Sequence, residues 1–169
     1  MIHLYAGDGK GKTTAAFGLA LRFAGSGGQA LVIQFLKSSD SSEIAAVRQV
    51  AGIGVFNAES PHGFYHTLSD DQKTALAKEI EQEFSAAEEA VSANSYGLLF
   101  LDEVLDAVNL GLVDESRLLA LLKSAACEVV LTGRNPSAQL VKAADYYTEF
   151  VCKKHPFDSG VPARRGIEY

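Results

Sequence analysis

The stretch AGDGKGKTTAAFG, residues 6–18, decides the fold prediction. It nearly matches the phosphate-binding pattern G-x-x-x-x-G-K-[ST], because residues 11–13, GKT, fit the end of that pattern. The first glycine of the pattern falls at position 6, where the chain has Ala, and Gly7 follows one residue later. An apolar strand is predicted before the stretch at 2–5, and a helix after its start at 13–24. Strand, glycine loop and helix in this order are typical of a nucleotide-binding loop.

The residue types of this loop suit a bound phosphate chain. Glycines let backbone N–H groups converge on phosphate oxygens, and the N-terminus of the following helix adds positive potential. Lys12 offers a positive charge to the phosphates, and the Thr13 hydroxyl is a predicted Mg²⁺ ligand. In a plain glycine turn, the alternative, Lys10 and Lys12 would repel each other, whereas an anion between them removes that repulsion. The predicted nucleotide-binding residues here are Gly7, Asp8, Gly9, Lys10, Gly11, Lys12, Thr13 and Thr14.

Two later segments carry further candidate residues. LLFLDE, 98–103, predicts an apolar strand that delivers a carboxylate to a metal ion, so Asp102 and Glu103 are predicted metal ligands. Neighbours on a strand point to opposite faces, and we expect only one of the two in direct contact with the metal. Arg134 follows the predicted strand 128–133 and either reaches the triphosphate or caps the crevice. Taken alone, Arg134 fits better as a surface arginine after a turn.

The whole chain alternates between strand-like and helix-like segments. This alternation, with nearly continuous apolar strands, predicts an α/β fold with a mainly parallel sheet and helices on both faces, P-loop NTPase-like and RecA-like. A single domain over 1–169 is expected, with 150–169 as an irregular tail. Ligands of such sheets bind beyond the carboxyl ends of the strands, so the glycine loop, 34–37, 102–103 and 132–134 are expected in one crevice. The remaining predicted strands are 30–36, 53–56, 96–103 and 146–151, and the remaining predicted helices are 43–50, 70–93, 114–124 and 136–143.

Composition narrows the class of protein. The 15 basic and 21 acidic residues give a net charge of −6, which disfavours a nucleic-acid binder. No apolar run approaches the ~18 residues of a membrane span. Cys127 and Cys152 lie far apart and are predicted to be buried thiols in a reducing compartment. The first residues lack the charged and apolar regions of a signal peptide, so a cytoplasmic protein is expected. The residues alone predict an enzyme that uses Mg²⁺ and a nucleoside triphosphate, without naming its reaction.

Several motifs together resemble one family. The loop spelling GDGKGKTT and the ending KHPFDSGVPARRGIEY, 154–169, are similar to the P-loop type of corrinoid adenosyltransferase, also called cob(I)alamin or cob(I)yrinic acid a,c-diamide adenosyltransferase. The similarity runs nearly end to end in the same order. Its other stretches are QFLK at 34–37, Glu43, GF at 63–64, LLFLDEV at 98–104, LTGR at 131–134 and AADYYTE at 143–149.

This resemblance implies a reaction and its participants. ATP would donate its 5′-deoxyadenosyl group to cobalt(I) of a corrinoid, with Mg²⁺ bound and triphosphate released, in adenosylcobalamin synthesis or salvage. Cobalt(I) is itself a strong nucleophile, so no general base is required. Lys10 and Lys12 would act in catalysis by stabilising the charge that grows on the leaving triphosphate. The resemblance also implies a homodimer and a reductase as partner, with no nucleic acid and no membrane.

The corrinoid side is expected in the loop at 59–70. Family members have a G-F-x-W stretch here, whose aromatic side chains are thought to displace the lower axial ligand of cobalt. Phe64 matches the pattern, whereas His66 stands where the family has tryptophan. His66 is therefore either a substitute for this wedge or an exposed loop histidine. The tail is either a solvated end or an ordered segment near the nucleotide or a dimer contact.

Two other function classes stay open beside the resemblance. A P-loop ATPase or small-molecule phosphotransferase needs the same loop and carboxylate. A nucleotide-sensing module needs the loop without turnover.

Overall fold

The structure, a computed structural model, describes residues 1–37, 42–57 and 65–167. The strands of these parts are β1 (Ile2–Ala6), β2 (Ala30–Gln34), β3 (Ile53–Asn57), β4 (Leu98–Asp102), β5 (Glu128–Gly133) and β6 (Tyr146–Glu149). The α-helices are α1 (Lys12–Gly25), α2 (Ser42–Val47), α3 (Asp70–Ala93), α4 (Val104–Asn109), α5 (Glu115–Ser124) and α6 (Ala138–Ala143). Short 3-10 helices cover Tyr65–Thr67 and Pro156–Ser159.

The strands form one sheet in the order β3-β2-β4-β5-β1-β6, and all their pairings are parallel. Every residue of β2 and β4 is buried, which agrees with the continuous apolar runs expected of a covered parallel sheet. The α/β prediction is confirmed and is consistent with a P-loop NTPase-like domain. One strand, β5, separates β1 from β4, so the glycine loop and the LLFLDE carboxylates emerge near each other.

Helices cover both faces of the sheet, as predicted. Ala16 and Phe17 of α1 and Ile44 of α2 pack with Val32 and Phe100 on one face. A larger cluster on the other face joins the apolar sides of α3, α4, α5 and α6 to strand residues of opposite parity. The helices leave the two ends of the strands uncovered, and the candidate site lies at their carboxyl ends.

Several element boundaries differ from the prediction. Helix α4 was not predicted, and the strand before it ends at Asp102 rather than at position 103. The tail contains the 3-10 helix Pro156–Ser159 rather than being irregular throughout. Cys127 is half-buried and Cys152 is exposed, so the prediction of two buried thiols is wrong, most clearly for Cys152.

None of the helices in the described ranges combines the length and apolar character needed to cross a bilayer.

Candidate active site

The glycine loop begins one residue later than the common pattern requires. Ala6 is the last residue of β1, is fully buried, and lies in register with Gly133 of β5 and Glu149 of β6. The chain leaves the strand at Gly7, whose φ of 121° lies in the region that favours glycine. The Gly7 N–H donates to the Gly133 carbonyl at 3.2 Å. Position 6 therefore continues a regular strand, and the need for glycine falls on position 7.

The backbone of Phe150 lies directly against the loop. Its N–H donates to the Ala6 carbonyl at 2.8 Å, and its carbonyl accepts from the Gly9 N–H at 2.8 Å. A Cβ placed on Gly7 would lie 2.3 Å from the Phe150 carbonyl oxygen, and one on Gly9 would lie 2.7 Å from its carbonyl carbon. Glycines at 7 and 9 are thus explained by the close approach of Phe150. The Gly9 N–H is paired with protein in this conformation.

Positive charge gathers beside the loop. Lys12 Nζ donates to the Gly9 carbonyl at 3.0 Å. Burial, and then the nearby positive charge of Arg134, lower the pKa of Lys12 below its ordinary value. Lys12 and Arg134 each disfavour the positive charge of the other. An anion bound near both would reduce this repulsion. The loop is therefore a candidate anion site, although Asp106, Glu103 and Asp8 act on Lys12 in the opposite direction and raise its pKa. Lys10 and Thr14 are exposed on the surface of the loop.

Arg134 is exposed at the end of β5, and its backbone is fixed by α4. Its N–H donates to Asp106 Oδ2 at 3.2 Å, and its carbonyl accepts from Asn109 Nδ2 at 2.9 Å. Burial raises the pKa of Asp106, and Arg134 opposes that rise. Asp106 is missing from the predicted site because α4 was not predicted, although a carboxylate one turn beyond Asp102 was visible in the sequence.

Asp102 is fully buried at the end of β4 and accepts hydrogen bonds from four side chains. Thr13 Oγ1 and Thr132 Oγ1 donate to Oδ1 at 2.9 and 2.7 Å. Gln34 Nε2 and Lys37 Nζ donate to Oδ2 at 3.0 and 2.8 Å. The donors come from the start of α1 and from the ends of β2 and β5. The expectation that these strand ends meet in one crevice is confirmed.

Glu103 departs from the strand geometry expected of it. Its φ is 61°, it stands at the N-cap of α4, and its N–H donates to Thr132 Oγ1 at 2.8 Å. Lys37 Nζ lies 3.2 Å from Glu103 Oε1 and 2.8 Å from Asp102 Oδ2. The prediction that the two carboxylates point to opposite faces is wrong, because the strand ends at Asp102 and the next residue is left-handed. Burial raises the pKa of Glu103, and Lys37 acts against that rise.

The Lys37 ammonium is a cation surrounded by oxygen atoms. Besides the two carboxylates, Nζ lies 3.3 Å from Thr13 Oγ1. Burial alone would lower the pKa of Lys37, but Asp102 and Glu103 together raise it above its ordinary value. Lys37 lies within the segment 34–37 that was expected in the crevice, but it was not itself predicted as a site residue. Its signal was a lysine directly after a strand whose end faces the glycine loop.

The donor set around Lys37 fits a hard divalent cation. Carboxylate and hydroxyl oxygens are what Mg²⁺ prefers, usually one or two carboxylates together with substrate phosphates. Gln34 Oε1 is buried and has no hydrogen-bond partner among the described residues, which suits the donor water molecules of a hydrated ion. In the same ranges no three His, Cys, Asp or Glu side chains form a metal-holding group. A divalent cation here would complete its ligands with water molecules or with the phosphates of a bound ligand.

One of the two predicted corrinoid residues, His66, lies among the described residues. His66 is exposed in the 3-10 helix Tyr65–Thr67, and its ring meets Tyr65 edge-on at 6.0 Å. In the described part of the chain it makes no hydrogen bond or ion pair with the Asp102 group. Phe64 lies outside the described residues, so its role stays a prediction.

Comparisons with known proteins identify the family of this chain. The family model described as "ATP:corrinoid adenosyltransferase BtuR/CobO/CobP" matches residues 1–169. A corrinoid adenosyltransferase of Pseudomonas aeruginosa is 32% identical over 98% of this chain and 82% of its own. One of Escherichia coli K12 is 30% identical over 100% and 85%. Corrinoid adenosyltransferase CobA of Salmonella typhimurium is 28% identical over 100% and 85%. The predicted family is confirmed, and with it a transferase enzyme: the chain belongs to the ATP:corrinoid adenosyltransferase family.

Proposed function

We propose that the protein transfers the 5′-deoxyadenosyl group of ATP to cobalt(I) of a corrinoid and releases triphosphate. The cobalt–carbon bond forms as the bond between C5′ and its phosphate oxygen breaks, and the electron pair of that bond leaves on the triphosphate. The observation that carries the proposal is the family match over the whole chain. Adenosylcobalamin synthesis or salvage is the process that such a reaction serves.

The anion site beside the glycine loop is the proposed place of the triphosphate. Lys12, Lys10 and Arg134 would neutralise the charge that develops on this leaving group, which is where electrostatic stabilisation contributes most to the rate. An anion there also relieves the repulsion between Lys12 and Arg134 that lowers the pKa of Lys12. The loop backbone from Gly7 to Thr14 would complete the cradle, apart from the N–H groups of Gly7 and Gly9, which pair with the carbonyls of Gly133 and Phe150 in this conformation.

Asp102, Thr13 and Glu103 are the proposed holders of Mg²⁺. When bound there, Mg²⁺ would supply positive charge to the phosphate oxygens. Gln34 and Thr132 act on the carboxylate itself, since their donors fix the orientation of Asp102 from two sides. The proposed metal site would therefore be built from the end of β4 and the starts of α1 and α4.

The rest of the catalytic task is alignment. A substitution at carbon by cobalt(I) requires no proton transfer. The protein would therefore promote the reaction by positioning C5′ and by excluding water. Phe64 and His66 are the proposed corrinoid contacts, on the strength of the family pattern. A homodimer, a partner reductase and a cytoplasmic location stay predictions of the same kind, and sedimentation velocity measures the first.

Product analysis tests the proposal. The full chain is incubated without oxygen with ATP, Mg²⁺ and a chemically reduced corrinoid. We expect a light-sensitive adenosylcorrinoid and one intact triphosphate for each cobalt–carbon bond.

Matched lysine variants make that assay specific. Lys12→Ala should lose at least about a hundredfold in kcat/KM, because an oxyanion-type contact is lost. Lys78→Ala, at an exposed position on α3, should keep normal turnover. ADP and phosphate as the main products, with no cobalt–carbon bond, would instead identify an ATPase or phosphotransferase. Bound but unchanged ATP with every corrinoid would identify a sensing module.

A further inference from the structure

Lys37 already holds the place of a cation. Its ammonium lies 2.8 Å from Asp102, 3.2 Å from Glu103 and 3.3 Å from Thr13, the same oxygens that the proposed function gives to Mg²⁺. An ammonium and a divalent cation held by these same oxygens would repel each other strongly. Binding of either one therefore favours departure of the other.

Burial of Asp102 favours a cation beside its carboxylate. Its side chain is fully buried, and without Lys37 it would keep only the neutral donors of Thr13, Gln34 and Thr132. A buried carboxylate without a positive partner is strongly unfavourable. Lys37 thus supplies, in the absence of metal, the charge that a divalent cation supplies when bound.

The chain around Lys37 suits such an exchange. The Phe35 N–H donates to the Asp102 carbonyl at 2.9 Å, which anchors the chain just before Lys37. Leu36 has a φ of 57°, a conformation that a bulky residue keeps only when its surroundings impose it. The lysine itself has a flexible four-carbon stem, so its ammonium can leave while the backbone stays anchored.

We propose that Lys37 is a resident counter-ion that exchanges with the divalent cation brought by the nucleotide; this rests on the proposed function for the position of that cation. A bare cation must displace Lys37 with only two carboxylates and a hydroxyl as ligands. A cation bound to ATP brings phosphate oxygens, which add ligands and offer an anion to the displaced ammonium. Lys37 thereby makes cation binding conditional on nucleotide.

Binding of Mn²⁺, read from the electron paramagnetic resonance of the free ion, tests the exchange on the full chain. Without nucleotide, Lys37→Met should bind Mn²⁺ about tenfold or more tightly than the wild type, because the competing charge is gone. ATP should then increase the Mn²⁺ affinity of the wild type more than that of the variant. Lys73→Met, a partly exposed lysine on α3, should behave as the wild type. Equal Mn²⁺ affinities of Lys37→Met and wild type without nucleotide overturn the proposal.

Lys37→Arg covers the case in which Lys37→Met does not fold. Arginine keeps the charge but binds carboxylates through a fixed fork, so it is harder to displace. We expect this variant to bind Mn²⁺ in the presence of ATP at least several-fold more weakly than the wild type. An unchanged affinity contradicts the exchange. The product assay distinguishes failure of this proposal from failure of the proposed function. If adenosyl transfer occurs but substitution of Lys37 leaves the Mn²⁺ affinity unchanged, only the exchange is rejected. If the exchange is observed but ADP is the only product, only the proposed function is rejected.

Discussion

At the scale of single residues, the unusual spelling of the glycine loop has a steric cause. Ala6 occupies a regular position inside the sheet, between β5 and β6, where a side chain is accommodated. Gly7 carries the positive φ of 121° and faces the Phe150 carbonyl. The glycine that the common pattern places at 6 is therefore needed at 7.

Substitutions at positions 6 and 7 should differ in their effect on the free energy of unfolding. Gly7→Ala should lower the free energy of unfolding by about 2 kcal/mol or more, because it combines strain with a backbone clash. Ala6→Gly should cost only about 1 kcal/mol, the usual penalty of glycine in a strand. Urea unfolding of both variants measures the difference. A Gly7→Ala protein as stable as Ala6→Gly would show that Phe150 does not restrict the loop.

At the scale of elements, sequence patterns predicted most of the secondary structure. The bounds of α3 are those expected, since Ser69 and Gln72 form a capping box that marks its start. Strands β2, β4 and β5 were recognisable because both of their faces are covered and their residues are almost continuously apolar. Helix α4 was missed because it has only six residues and follows a strand without a loop between them.

The candidate site was predictable only in part, and for a physical reason. Thr13 and Asp102 follow from motifs whose spacing the chemistry itself requires. The position of Lys37 depends on the left-handed backbone of the preceding residue, Leu36. The direction of the Glu103 side chain depends on the left-handed backbone of Glu103 itself, the first residue after β4. Neither conformation is favoured by the residue that adopts it, so local propensity gives no sign of them.

A cluster of charged side chains joins α3 and α5, and its contribution to stability can be measured. The Arg117 guanidinium donates to Glu81 at 2.9 and 3.0 Å and to Glu88 at 2.8 and 3.3 Å, and it lies 4.9 Å from the ring centre of Phe84. These groups are well exposed, so water screens their attraction. We expect Arg117→Met to cost only about 1 kcal/mol in stability.

Salt identifies the origin of that contribution. The difference between Arg117→Met and the wild type should shrink in urea unfolding at about 1 M NaCl, where charges are screened beyond ~3 Å. Lys123→Met, exposed on the same helix, should show almost no difference at either salt concentration. A penalty independent of salt would mean that Arg117 acts through packing on Phe84 rather than through charge.

At the scale of the whole molecule, the site connects most of the sheet. The loop after β1 and the ends of β2, β4 and β5 share one hydrogen-bonded group around Asp102. A ligand bound there holds together elements distant in sequence, so binding should stabilise the domain as a unit.

Thermal unfolding measures this coupling. With ATP and Mg²⁺ at about 100 times the dissociation constant, we expect ~2.7 kcal/mol of stabilisation and a midpoint higher by ~5–11 °C. AMP with Mg²⁺ should shift the midpoint far less, because the cationic loop lacks its triphosphate. Lys12→Ala should remove most of the ATP shift. If AMP raised the unfolding midpoint as much as ATP does, the protein would bind the nucleoside part of ATP rather than its triphosphate.

The contact between Phe150 and the loop also bears on how the protein is made. In the sheet β1 lies between β5 and β6, both of which come from the last third of the chain, and the Gly9 N–H pairs with Phe150. Strand β1 is therefore synthesised well before the two strands that pair with it. During synthesis its apolar side chains have no sheet to join, a period in which a nascent chain is open to misassembly and chaperones. We therefore expect the glycine loop to be among the last parts of the molecule to take its final shape, because it pairs with Phe150.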